Sequence, residues 1–153
     1  RWLLAQGFRV VAVDRDLSRL PRDLAGHTAI EVIEADLEVE HLGPATWPLA
    51  NRRFDGIVVT NYLHRPLLPV LRSALAPSGV LLYETFADGN EKYGKPSNPA
   101  FLLRPGELLE LARNDLQVMA YEHLEVMAPR PAVVQRLAAV RLPQGRPGDR
   151  PAP

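Results

Sequence analysis

The run QVMAYEHLEVMAPRPAVVQRLAAVRL, residues 117–142, decides the fold. It holds two long strand candidates, 117–126 and 132–142, with Pro129, Arg130 and Pro131 as a tight connection between them. Parallel neighbours need a crossover of a dozen or more residues, usually a helix, and this gap has no room for one. The two strands therefore form an antiparallel hairpin. Upstream of it the pattern is different. FRVVAV (8–13), AIEVI (29–33), FDGIVVT (54–60) and VLLYETF (80–86) read as strands. Residues 17–24, 67–75 and 105–114 read as helices, the first made irregular by Pro21 and the last opened by Pro105 with Glu107 close behind. The turn Pro77-Ser78-Gly79 closes the middle one. Such alternation implies a parallel sheet with helices on both faces, joined by right-handed crossovers. The near-continuous apolar run 54–60 predicts a strand covered on both sides. The expected architecture is thus an α/β, doubly wound sheet that ends in an antiparallel hairpin.

Composition sets the outer limits. The 153 residues are 46% apolar and 24% charged, values of an ordinary globular domain with a proper core. Eighteen basic and eighteen acidic side chains cancel, so no global field draws the protein toward nucleic acid or a membrane surface. Absence of cysteine removes disulfides, thiolate metal sites and a cysteine nucleophile. No stretch approaches the roughly 18 apolar residues of a membrane span. The expected location is cytoplasmic. Residues 1–142 are expected to form one domain, and 143–153, which have nothing to bury, a disordered tail. Trp2, Leu3 and Leu4 ahead of Gly7 read as the end of a helix, with the glycine as its stop. No capping residue precedes them, and the expectation is of a chain that enters part-way through its first helix.

In an open α/β sheet, ligands bind beyond the carboxyl ends of the strands. The residues following each strand are therefore the candidates. Asp14, followed by Arg15, ends the first strand, and a carboxylate there accepts two hydrogen bonds at once, as paired ribose hydroxyls require. It is equally readable as a polar loop residue, with Asp16 as a helix cap. Asp36 in EADLE (34–38) ends the second strand and suits an exocyclic amine of adenine, with Leu37 against the purine face, although Glu34, Glu38 and Glu40 make a plain acidic surface an alternative. Asn61, Tyr62 and His64 cluster where the third strand spills into its helix. Tyr62 is suited to stacking and Asn61 to polar contacts with substrate. His64 is a candidate base by its residue type, its plainer reading being a helix-start residue bonded to a loop carbonyl. Glu84, Phe86 and Tyr93 lie on the substrate side, around the fourth strand and the long loop 87–103. Loops of that length in compact domains are usually functional or disordered, and Phe86, Tyr93 and Phe101 among glycines suggest a lid.

This ordered set resembles the class I S-adenosylmethionine-dependent methyltransferases, which have a Rossmann-like doubly wound sheet. The residues that carry the likeness are the acid-ended first strand, EADLE (34–38), FDGIVVTNYLH (54–64), LAPSGVLLYETF (75–86) and the terminal strand pair. The chain is similar in particular to small bacterial members of the type-11/type-12 or tellurite-resistance-like groups. The resemblance implies S-adenosyl-L-methionine as cofactor, with Asp14 on its ribose, Asp36 and Leu37 at adenine, and Asn61, Tyr62 and Leu63 along its methionine portion and the acceptor. It also implies that strand 132–142 inserts beside strand 80–86. The family's first strand and Gly-rich loop have no counterpart in these residues. They are expected immediately before Arg1, and without them weak cofactor binding is expected. TNYLH (60–64) departs from the Asn-Pro-Pro-Tyr type that grips a target amine, so the motif does not support nucleobase or amino-group methylation.

The implied reaction is methyl transfer to a small-molecule acceptor, with no nucleic-acid or membrane partner and no metal, because His27, His41, His64 and His123 show no ligand spacing. Two rivals stand beside it. One is an NAD(P)-dependent oxidoreductase, which also uses an acid at a strand end to hold ribose. The other is a non-catalytic methyltransferase-like binding module.

Overall fold

A computed structural model describes residues 1–38 and 47–143. The chain divides into two compact units, Arg1–Ala50 and Asn51–Pro153. In the first unit, helix α1 (Trp2–Ala5) is stopped at Gly7, whose φ of +84° is one that glycine adopts without strain. Strands β1 (Val10–Asp14) and β2 (Ile30–Glu34) pair in parallel, Val10 opposite Ile30 through Asp14 opposite Glu34. The helical segment expected at 17–24 is broken in two. A 3-10 turn, Leu17–Arg19, is capped by the Asp16 carboxylate, which accepts from the Ser18 amide at 2.9 Å. Pro21 then caps helix α2 (Arg22–Ala25), because its fixed φ suits the start of a helix and not the interior. Residues 39–46, which follow this unit's second strand, lie outside the described residues. So does the expected tail, apart from Pro143.

The second unit is a four-stranded sheet in the order β3-β4-β6-β5. Strands β3 (Phe54–Thr60) and β4 (Leu75–Phe86) are parallel. Strands β5 (Leu116–Val126) and β6 (Ala132–Arg141) form the expected antiparallel hairpin. Strand β6 lies between β4 and β5, with Leu81 opposite Ala139 and Tyr83 opposite Leu137, as the resemblance implies. Between the strands come a 3-10 turn (Arg65–Leu67), helix α3 (Leu68–Ala74) and helix α4 (Glu107–Ala112). Helix α4 starts two residues later than Pro105 suggests, because Gly106 takes a left-handed φ of +75° at its cap.

Side chains that alternate along these strands sort into two faces. Leu81, Tyr83, Thr85, Gln135, Leu137 and Ala139 point to one face and are buried there. Helix α4 meets that face, since the Gln135 amide oxygen accepts from the Leu108 backbone amide at 3.4 Å. Arg141, on the same face, ties β6 to the end of α3 through the Leu75 carbonyl at 2.8 Å and the Arg72 carbonyl at 3.0 Å. The opposite face carries Val58, 53% exposed, with Val80 and Leu82 exposed in register with it and its neighbours. Strand β3 is therefore not covered on both sides as its apolar run suggests. Both helices of this unit that bear on the sheet serve the same face.

The expected turn at Pro77-Ser78-Gly79 is present, inside the span of β4: Leu75 pairs with Phe54 and Val80 already with Gly56, so the register shifts across the tripeptide, and Ser78 takes a φ of +64°. The tight path is allowed because Gly79 lacks a side chain. A Cβ there would stand 2.8 Å from the Ala76 carbonyl oxygen and 2.9 Å from that of Phe54.

Candidate functional site

Asp14 and Asp36 both lie at carboxyl ends of strands in the first unit, and both are exposed. Each carboxylate folds back on its own loop through one oxygen: Asp14 Oδ1 accepts from the Asp16 amide at 3.1 Å, and Asp36 Oδ1 from the Glu38 amide at 2.8 Å. The second oxygen of each has no protein partner among the described residues, so both acids are oriented and still able to accept from a ligand. Arg15 is exposed and Leu37 half-buried.

In the second unit the chain leaves β3 through a strained residue. Asn61 has a φ of +52°, and its amide donates to the Glu84 carbonyl at 2.9 Å. Asparagine tolerates this left-handed region better than other side chains, which explains its place where a strand turns sharply outward. We predict that Asn61→Gly keeps the unfolding free energy within about 0.5 kcal/mol, whereas Asn61→Val lowers it by about 1–2 kcal/mol, read by chemical denaturation. Equal effects of the two substitutions would show that backbone strain is not the constraint.

Tyr62 follows, its carbonyl accepting from the Tyr83 hydroxyl at 2.8 Å. Tyr83 is 2% exposed, and burial pushes its phenol well above the ordinary value, so it stays a donor throughout the physiological range. Leu63 is buried beneath the segment. His64 stands at the N-terminal position of the following 3-10 turn without capping it by its side chain, and its Nε2 is buried with no hydrogen-bond partner among the described residues. Such an orphan is uncommon in a folded chain and marks a place where a ligand or water must complete the bonding.

Arg65 completes the segment, and nothing in the sequence distinguishes it. Its Nε and Nη2 donate to Glu107 Oε1 and Oε2 at 2.7 and 2.9 Å, while Nη1 and Nη2 reach the carbonyls of Ala100 and Leu102 at 2.7 and 2.8 Å. Glu107, 5% exposed, also accepts from the Arg104 amide at 2.9 Å. Burial pushes the Glu107 carboxyl up, but the hydrogen bonds from Arg65 and from the Arg104 amide outweigh it and hold the group below the usual range. Arg65 is shifted up in turn by the same carboxylate.

The long loop is held along its length. Asn90 is buried, donating to the Pro96 carbonyl at 2.9 Å and accepting from the Val133 amide at 3.1 Å. Asp88 and Leu103 close its base, the Asp88 amide donating to Leu103 at 3.0 Å and the Leu103 amide to Phe86 at 2.9 Å. The Tyr93 hydroxyl and Lys92, the latter at 2.5 Å, both donate to Glu125 on β5. The loop expected to be a lid is therefore a formed wall in this structure, with Tyr93 and Phe101 partly exposed on it. Phe86 is half-buried at the end of β4. Glu84 is bound to Arg136, which also reaches Glu122 at 3.1 Å, so its carboxylate belongs to a cross-strand ion-pair row. Among the described residues no group of three or more His, Asp or Glu is placed to hold a metal ion, and no helix is long and apolar enough to cross a membrane.

No protein-family model matches the sequence, and no curated protein matches it. Solved structures do. TehB from Haemophilus influenzae superposes with a TM-score of 0.66 at 16% identity, covering 92% of this chain and 52% of that one. The N-methyltransferase NodS from Bradyrhizobium japonicum gives a TM-score of 0.61 at 14% identity, covering 88% and 74%. The fold is that of the class I S-adenosylmethionine-dependent methyltransferases. A third example of this methyltransferase fold is the 1,6-didemethyltoxoflavin-N1-methyltransferase of Burkholderia thailandensis, solved with its substrate and S-adenosylhomocysteine. It has a TM-score of 0.59 at 19% identity and covers 92% of this chain and 64% of that one. The chain thus spans about half the length of TehB and most of NodS. At these identities the likeness concerns the methyltransferase fold, and the site residues rest on the chain's own chemistry.

Proposed function

We propose that this chain binds S-adenosyl-L-methionine and serves methyl transfer to a small-molecule acceptor. The observation that carries the reading is the pair of oriented carboxylates at the strand ends of the first unit, Asp14 after β1 and Asp36 after β2; within the second unit, His64 Nε2 after β3 is buried without a hydrogen-bond partner among the described residues. These groups fit the cofactor. A carboxylate with one oxygen fixed by a backbone amide and the other free suits ribose hydroxyls at Asp14, and at Asp36 suits an amine of adenine beside the apolar Leu37. Asn61 and Tyr62 would line the methionine portion, with Arg15 next to the ribose acid. When bound, the cofactor supplies an already activated methyl group on a sulfonium. The protein is left to orient the acceptor and exclude water, work for which His64, Phe86, Tyr93 and the formed loop are available. Glu84 is engaged with Arg136 and contributes charge balance at this edge.

The test is calorimetric titration of the chain with S-adenosylhomocysteine and, in parallel, with NAD. We expect binding of the first and none of the second. Asp14→Ala should weaken S-adenosylhomocysteine about 10- to 100-fold, the loss of hydrogen bonds to a charged acceptor, while leaving the thermal midpoint nearly unchanged because Asp14 is exposed. Binding of NAD alone would establish the oxidoreductase rival, and binding of neither would sink the cofactor assignment.

A further inference from the structure

We propose that Arg65 is a positioning residue for this site. It locks the segment leaving β3 to the closing end of the long loop, so that the cofactor-side and acceptor-side walls hold one shape. The inference rests on the functional reading above. Four hydrogen bonds leave one guanidinium: two to the buried Glu107 carboxylate and one each to the carbonyls of Ala100 and Leu102. A guanidinium has five donors in a rigid plane, and this arrangement uses nearly all of them. The carboxylate is itself fixed by the Arg104 amide, and the Arg104 carbonyl accepts from the Gln135 side chain at 2.7 Å, with Gln135 fully buried. The chain of bonds therefore starts in the sheet at β6, passes through the start of α4, and ends at Arg65, one residue after the unpartnered His64 and three after Tyr62. The Tyr83 hydroxyl holds the other end of that segment at the Tyr62 carbonyl.

Two features argue that the purpose is placement of the segment as well as stability. The carbonyls taken by Arg65 belong to the last turn of the loop, Pro99–Phe101 and Leu102, whose own backbone bonds are local and few. The loop's first half, by contrast, is secured independently by Asn90 to β6. Removing Arg65 thus frees the half of the loop nearest the β3 exit and leaves the other half in place.

A lysine cannot imitate the planar fork, which makes Arg65→Lys the informative variant. We expect its S-adenosylhomocysteine affinity to fall about tenfold. Amide exchange should accelerate at Phe101, Leu102 and Leu103 while the Ala87 and Val133 amides keep wild-type protection. In Arg65→Ala, low millimolar guanidinium should restore both readings, and methylammonium at the same concentration should restore neither. Wild-type affinity and exchange in Arg65→Lys would overturn the proposal. So would uniform acceleration of all amides with no rescue, since that is the behaviour of a merely structural pair. Failure of the wild-type chain to bind S-adenosylhomocysteine strikes the functional reading instead, and is seen before any variant is made.

Discussion

Glu107→Ala should destabilise the second unit by about 2–4 kcal/mol, the largest effect we expect from one side chain outside the apolar core. The carboxylate is 5% exposed and satisfies three donors, two on Arg65 and the Arg104 amide. Deleting it strands a guanidinium whose side chain is about one-third exposed, which keeps the expected cost below that of a fully buried pair. Glu107→Gln should cost less, because the amide oxygen retains one acceptor while the charge is lost. The pH dependence has a definite sign. The folded carboxyl lies below its ordinary range, so the folded state binds its proton less readily than the unfolded chain. Its contribution is complete above the ordinary glutamate value of about 4.3 and is lost as pH falls through the lowered folded value. Denaturation midpoints measured from neutrality down to acid should therefore fall more steeply for wild type than for Glu107→Gln. Parallel curves would show that the pair contributes no linkage.

Gly79→Ala is expected to be the most damaging single methyl group in the chain. The new Cβ would meet the Ala76 carbonyl oxygen at 2.8 Å and the Phe54 carbonyl oxygen at 2.9 Å. Both are backbone atoms, and neither can swing aside as a side-chain terminus would. Either β4 must change its path at the Pro77-Ser78-Gly79 tripeptide, or the Phe54–Leu75 pairing that starts the parallel ladder must open. Overpacking of this kind costs about 1–3 kcal/mol, and a midpoint lower by roughly 5–10 °C should follow in thermal unfolding followed by circular dichroism. Gly26→Ala is the control, because nothing stands within 4 Å of a Cβ there. A midpoint within a degree or two of wild type for Gly79→Ala would show that the strand accommodates the methyl group.

The candidate residues of the two units differ in how far they could be read from sequence. Asp14 and Asp36 were legible because strand termini follow from runs of apolar residues, and an acid that ends such a run is conspicuous. Asn61 was legible as a polar residue after a strand, but not its φ of +52°, which depends on how β3 leaves the sheet. The loop 87–103 read as a lid because glycines and prolines signal freedom locally. In the folded chain that freedom is removed by bonds between Asn90 and Val133, 43 positions apart, and between Arg65 and the carbonyls of Ala100 and Leu102, 35 and 37 positions away. No local pattern encodes such pairs. The Arg65–Glu107 clamp went unseen for that reason, with Arg65 reading as one more surface base after a histidine.

The order of elements, the parallel character of β3 and β4, and the antiparallel ending were determined by the sequence alone. Hydrophobic period, turn residues and the lengths of the connections are local quantities, and they limit the direction of each strand but not its neighbour; that β6 stands beside β4 was implied by the family resemblance. Which face of the sheet α3 and α4 cover, the path of β4 through Gly79, and the partners of every buried charge were decided only by the tertiary structure. Those outcomes depend on close approach between segments distant in sequence, where a carbonyl oxygen at 2.8 Å or a carboxylate at 2.7 Å determines what each residue can do.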